Sequence, residues 1–227
     1  MTIEWLMTRA PSVPEGDAWL GPDERQAQTR LKIEKRRSEW RLGRFAAKQL
    51  VSRVTNVDEL DRIQVIAAED GAPEAFVDGE AVPVSLSITH RDGVAACVCT
   101  KGARVGCDLE AVEPRTQRFI NDFFTDRERD AVARTRATVH DRHVALVWSA
   151  KESALKVLRV GLRRDTRSVE VEIDDPAVEG PDWQPLAVVV RPENLTCSGW
   201  WRAGGDFVLT LVSDDPHLRV AGHDEER

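Results

Sequence analysis

Two segments of this chain read as one helix written twice, and that repetition constrains the fold more than any other feature of its 227 residues. "GRFAAKQLV" (Gly43 to Val51) and "WSAKESALKVL" (Trp148 to Leu158) both carry small residues on the side that apolar spacing turns inward. Strand-like segments follow each of them. The pattern predicts an α+β fold of two similar halves, each with a small antiparallel sheet packed on a long helix, related by a pseudo-twofold axis and holding a site in the crevice between them. The boundaries fall at 1–104 for the N-terminal half and 105–213 for the C-terminal half, leaving 214–227 as a polar, mobile tail.

Within the first half, Pro11, Pro14, Gly16, Gly21 and Pro22 mark the first twenty residues as irregular. A long helical pattern follows from Asp23 to Val54, in which Leu42, Ala46, Leu50 and Val54 make an apolar stripe. Arg37, Arg41, Arg44 and Lys48 form a second, wholly basic stripe. It reads either as a solvated face or, because like charges so spaced repel mildly, as a face that meets phosphate. Segments 82–89, 93–100 and 103–112 alternate as an antiparallel meander, with Asp92-Gly93 as a tight turn between the first two and "KGA" between the second pair. Segments 168–174, 186–192, 195–202 and 206–213 are the strands of the second half, with "AGGD" (Ala203 to Asp206) as the last hairpin turn.

Three carboxylates and a lysine stand out by spacing. In "VGCDLE" (Val105 to Glu110), Asp108 and Glu110 are two apart on a strand and leave the same face. In "WSAKESALK" (Trp148 to Lys156), Glu152 and Lys156 are four apart on a helix and share a side. Carboxylates brought together without a counter-charge repel, so Asp108, Glu110 and Glu152 read as ligands of a hard cation, most naturally Mg2+ completed by water and a substrate phosphate. Glu110 is either a third ligand or a water-mediated neighbour.

These blocks resemble the two signatures of the 4'-phosphopantetheinyl transferase superfamily, in its larger, monomeric Sfp type. The G-x-D-x-E block stands here as Gly106, Asp108 and Glu110, and the W/F-S/C-x-K-E-x-x-x-K block as Trp148, Ser149, Lys151, Glu152 and Lys156. "LGRFAAKQL", "VSLSITHRDGVAACV", "FFTDRE" and "VGLRRD" extend the resemblance over most of residues 25–170. It implies transfer of phosphopantetheine from coenzyme A to a serine of an apo acyl or peptidyl carrier protein, with Mg2+ bound and 3',5'-ADP released. It also implies coenzyme A contacts at Arg44, Lys48, Thr89, His90 and Lys156, and catalytic roles for Asp108, Glu152 and Lys156. Three departures bear on the 3'-phosphate pocket: Thr89 stands for a serine, Ala72 for a basic residue, and Glu24 and Ala27 where basic residues are common, with Arg36 or Arg37 to compensate. Phe119, Phe123 and Phe124 read either as core or as a carrier-docking surface.

A net charge of −7 argues against nucleic-acid or anionic-membrane binding. The absence of a run of about twenty apolar residues or of a secretory signal predicts a cytoplasmic protein, and the resemblance implies a monomer, since the short trimeric holo-acyl-carrier-protein synthase type is only about half this length. Cys97, Cys99, Cys107 and Cys197 fit buried, reduced thiols. Two other classes share the carboxylates or the fold: a Mg2+-dependent nucleotide or pyrophosphate hydrolase, which needs no protein acceptor, and a carrier-binding protein without catalysis.

Overall fold

The computed structural model describes residues 1–224, with residues 222–224 described in backbone only. They form two units, Met1–Ala103 joined by the strand Arg219–Asp224, and Arg104–Leu218. The first unit runs β1 (Thr2–Arg9), α1 (Pro22–Thr29), α2 (Glu34–Thr55), β2 (Ile63–Ala67), β3 (Pro73–Val77), β4 (Glu80–Ala81), β5 (Ser85–Arg91) and β6 (Val94–Thr100). The second runs β7 (Val105–Ala111), α3 (Gln117–Phe123), α4 (Asp126–Ala133), α5 (Ala137–Val157), β8 (Val169–Glu172), β9 (Gly180–Val190), β10 (Leu195–Gly204) and β11 (Phe207–Ser213). The fold is therefore α+β, as the repeated pattern predicts. In each unit the first strand pairs antiparallel with the last strand before the chain leaves, β1 with β6 and β7 with β11.

Four expectations need correction. The opening residues are not irregular: β1 buries Ile3, Trp5 and Leu6, and the Pro and Gly punctuation starts only after it. Because β1 fills one edge of β6 and β5 fills the other, β6 has no free edge for β7, and the three-strand meander stops after the β5–β6 hairpin. The polar tail is structured in part, since Arg219–Asp224 forms β12, parallel to β1 from Thr2↔Arg219 to Met7↔Asp224. The long helix from Asp23 is two helices, broken over residues 30–33.

The break has an electrostatic cause. On one continuous helix Glu24 and Lys48 would stand roughly 36 Å apart. Folded back, they make an ion pair in which the lysine side chain is 0% and the glutamate 1% exposed. Glu24 is the N3 residue of α1 and its carboxylate also accepts from Gly21 N at 2.9 Å and from Val65 N of β2 at 2.9 Å. The second unit repeats this arrangement atom for atom. Glu128 is the N3 residue of α4, and its carboxylate accepts from Thr125 N at 2.7 Å and Val171 N of β8 at 2.8 Å while pairing with Lys151 of α5 at 2.8 Å. Each long helix is thus tied to a short helix and a strand through one buried carboxylate. A charge in that position is tolerated because every lone pair it turns inward is met.

Around these anchors the cores are apolar. Leu42, Ala46 and Leu50 of α2 pack in one cluster with Leu6, Leu86, Cys97 and Cys99, and α5 packs Leu146, Ala150, Ala154 and Val157 with Val188, Val190, Trp201 and Val208. All four cysteines are free and buried. Among the described residues no helix is long and apolar enough to cross a membrane.

Candidate functional site

A cluster of charged side chains in the second unit lies where β7 crosses α5. Gly106 makes that crossing possible, because a Cβ there would sit 2.0 Å from the carbonyl oxygen of Ser153. With the two backbones in contact, the strand face bearing Gly106 and Asp108 lies on the helix face bearing Ser149, Glu152 and Lys156. Lys156 Nζ donates to Asp108 Oδ1 at 2.9 Å and to the Cys107 carbonyl oxygen at 2.8 Å. Lys156 thus bridges from the helix to the strand.

Glu152 feels this neighbourhood as a penalty on its charge. Burial first, then the Asp108 carboxylate and more weakly Glu110, push its pKa up to about 7, and Lys156 offsets only part of that. For Lys156 burial works against the ammonium, but Asp108, Cys107 and Glu152 together outweigh it and its pKa is raised. The centre is a half-buried carboxylate poised near neutrality beside a buried carboxylate neutralised by lysine.

Glu110 stands one strand repeat further along, about 6.6 Å at the usual rise, and goes a different way. Its Oε2 accepts from Arg115 at 3.0 Å. Among the described residues no group of three or more His, Cys, Asp or Glu side chains is arranged to hold a metal ion. Glu110 is thus engaged by Arg115, and its place beside a cation, as ligand or water-mediated neighbour, is not fixed by its spacing from Asp108 alone. Asp108 and Glu152 remain as oxygen donors whose mutual repulsion a cation would relieve. That pair fits Mg2+, which commonly takes one or two protein carboxylates and fills its other positions with water and phosphate oxygens.

Lys151, inside the second signature, belongs to the core: besides Glu128 it donates to the Thr166 carbonyl oxygen at 3.0 Å and to that of Val169. Trp148, one turn before Glu152, is 8% exposed and packs edge-on to Phe119 at 4.9 Å and tilted to Phe123 at 5.1 Å. Phe124 is fully buried, whereas Phe119 and Phe123 are half-buried and line a groove of about 320 Å³ with Trp148 and Leu162.

The coenzyme A residues expected in the first unit divide. Lys48 is overturned as a phosphate ligand, since it is spent inside the core on Glu24. Glu24 in turn is the anchor of that pair and not a missing basic contact. Arg37 pairs with Glu34, and Arg41 binds Asp17, Gln28 and the Pro14 carbonyl. Arg44 lies over the Trp40 ring at 5.2 Å, its Nε buried without a hydrogen bond among the described residues. Beside it, Gly43 lets β5 approach α2: a Cβ there would lie 3.1 Å from Ile88 and 3.8 Å from His90. The structure thus brings Arg44 and the exposed His90 onto adjoining elements, with Thr89 buried next to them.

Sequence reasoning missed Arg115, and it missed a buried hydroxyl, Thr210, that contacts Ser149 and Ser153 at 2.9 and 2.8 Å. Two serines four apart on the inward side of α5 were the available signal. Residues 104–209 match the family model described as the 4'-phosphopantetheinyl transferase superfamily. Among solved structures, the chain is similar to a holo-(acyl-carrier-protein) synthase from Bacillus anthracis str. Ames in complex with CoA (3',5'-ADP). The two are 24% identical with a TM-score of 0.37, over 43% of this chain and 92% of that one. No curated protein matches this chain.

Proposed function

We propose, from the match of residues 104–209 to the 4'-phosphopantetheinyl transferase superfamily model, that this chain moves the 4'-phosphopantetheine group of coenzyme A onto a serine of an apo acyl or peptidyl carrier protein. In this reading it does so with Mg2+, releases 3',5'-ADP, and is of the Sfp type. One observation carries the reading: the strand that bears Asp108 lies on the helix that bears Glu152, with Lys156 of that helix bonded to Asp108 and the Asp108 charge helping to push the Glu152 pKa up to about 7.

The chemistry follows from those side chains. A serine hydroxyl is a weak nucleophile at neutral pH and needs a base within reach as it attacks the β-phosphate. Glu152, whose pKa without metal is pushed up to about 7 by burial and Asp108, is the carboxylate we assign to accept that proton directly or through a water. Lys156 pairs with the Asp108 carboxylate and orients it, and its partly exposed ammonium offers positive charge to the diphosphate. Bound to Asp108 and Glu152, Mg2+ would supply charge stabilisation for the leaving diphosphate oxygen. Glu110 stands back with Arg115 and acts on the site through its field. Arg44, Thr89 and His90 are the coenzyme A contacts we retain. Because one chain carries both copies of the anchored helix, we read it as a monomer, and its four free, buried cysteines favour a reducing, cytoplasmic setting.

The test is to incubate the protein with coenzyme A and Mg2+, with and without apo carriers, and to quantify 3',5'-ADP. Release that requires a carrier supports transfer. Release at the same rate without one supports a hydrolase instead.

A further inference from the structure

Asp108 and Glu152 stand on different elements, so what they do together depends on how deeply β7 is seated on α5. A buried chain of hydroxyls sets that depth. Ser149 Oγ donates to the main-chain oxygen of Asp108 at 2.9 Å and lies 2.9 Å from Thr210 Oγ1. Thr210 Oγ1 lies in turn 2.8 Å from Ser153 Oγ, which donates to the Thr210 carbonyl oxygen at 3.2 Å. Ser149, Ser153 and Thr210 are all 0% exposed. Thr210 is the cross-strand partner of Asp108, between the buried Val208 and Val212 of the same strand face.

Cohesion alone does not call for hydroxyls here. Valine in place of Thr210 and alanine in place of either serine would fill the layer without a polar group to satisfy, whereas buried hydroxyls are costly unless bonded. What the hydroxyls add is direction: they fix the strand to the helix at one register, and the atom they hold is the backbone of Asp108 itself. We propose that Thr210 and Ser149 are positioning residues, whose hydroxyl chain seats Asp108 at the depth on α5 where its carboxylate and that of Glu152 share one divalent cation. The inference rests on the reading of this centre given above.

The test is a titration of Mn2+ into the full-length chain, followed by the resonance of the free ion, for wild type, Thr210→Val, Thr210→Ser, Ser149→Ala and Ser213→Ala. Ser213 is the control: it is also on β11 and fully buried, and its hydroxyl donates to the Arg104 carbonyl oxygen at 2.8 Å. Thr210→Val and Ser149→Ala should raise the Mn2+ dissociation constant by about tenfold or more, the usual scale for groups that orient a metal ligand. Thr210→Ser, which keeps the hydroxyl, should restore wild-type binding, and Ser213→Ala should bind as wild type even where its melting temperature falls. Should Thr210→Val not fold, Ser149→Ala carries the comparison with Ser213→Ala. Wild-type Mn2+ binding in the folded Thr210→Val or Ser149→Ala variant, equal weakening in Ser213→Ala, or no Mn2+ uptake by the wild type would each overturn the proposal. A chain that shows the expected pattern yet modifies no carrier upholds the positioning role and overturns the transferase reading.

Discussion

A single methyl group at Gly106 should separate the strand that carries Asp108 from the helix that carries Glu152. Built on the present backbone, the Cβ of Gly106→Ala lies 2.0 Å from Ser153 O and 3.1 Å from Lys156 Cβ. A main-chain carbonyl inside a helix does not swing aside as a side chain does. Contacts of a Cβ essentially never fall below 3.0 Å, so in a close-packed interior β7 must retreat by about 1 Å. Retreat carries the 2.9 Å contacts of Asp108 with Ser149 and Lys156 towards a length at which a hydrogen bond is lost. Overpacking costs about 1–3 kcal/mol and unsatisfied buried groups about 1–3 kcal/mol more, so Gly106→Ala should lose about 2–6 kcal/mol. Urea unfolding followed by tryptophan fluorescence measures it, with Gly204→Ala as the control, since nothing lies within 4 Å of a Cβ there. A Gly106→Ala protein within about 0.5 kcal/mol of wild type would refute the close crossing of strand and helix.

Three further outcomes follow from the same geometry. Without metal, Glu152 titrates at about 7 in the folded chain against 4.5 normally, so the folded state holds a proton that the unfolded state has released, and stability falls as pH rises through that window. Glu152→Gln should therefore be more stable than wild type at pH 8 by up to about 3 kcal/mol, the gap closing by pH 4.5; urea midpoints at the two pH values check it, and a gap independent of pH contradicts it. Lys151→Met and Lys48→Met each leave a buried glutamate unpaired and should lose about 3–5 kcal/mol, so a melt showing either variant within about 1 kcal/mol would remove the anchoring role. Arg44→Ala should weaken coenzyme A binding by about 1.5–3 kcal/mol, and calorimetry returning an unchanged dissociation constant would take Arg44 out of the pocket.

What could be read in the chain beforehand was local. Asp92-Gly93 marks the β5–β6 hairpin because positive φ at both residues, 46° and 78°, is what that turn demands. The helix of α5 and the pairing of "AGGD" with the end of β10 are legible for the same kind of reason. Lys48 was not, because a lysine in a basic stripe looks the same whether it meets a ligand or a carboxylate. Its partner lies 24 residues away across a helix break. The break itself is invisible to periodicity, since residues before and after it keep helical character. Glu110 reads as a metal ligand or its water-mediated neighbour by its spacing from Asp108, and its pairing with Arg115 comes from a loop that spacing does not reveal. β7 reads as the third strand of a meander until β1 is seen to occupy the edge it would need.

The most direct measurement is the intact mass of an apo carrier protein after incubation with this chain, coenzyme A and Mg2+. The carrier should gain the mass of one phosphopantetheine on its serine, a gain abolished by serine-to-alanine replacement in the carrier, by chelation of the metal and by Asp108→Asn. Carriers of the acyl and peptidyl kinds left at their original mass, with coenzyme A either intact or cleaved without an acceptor, would contradict it.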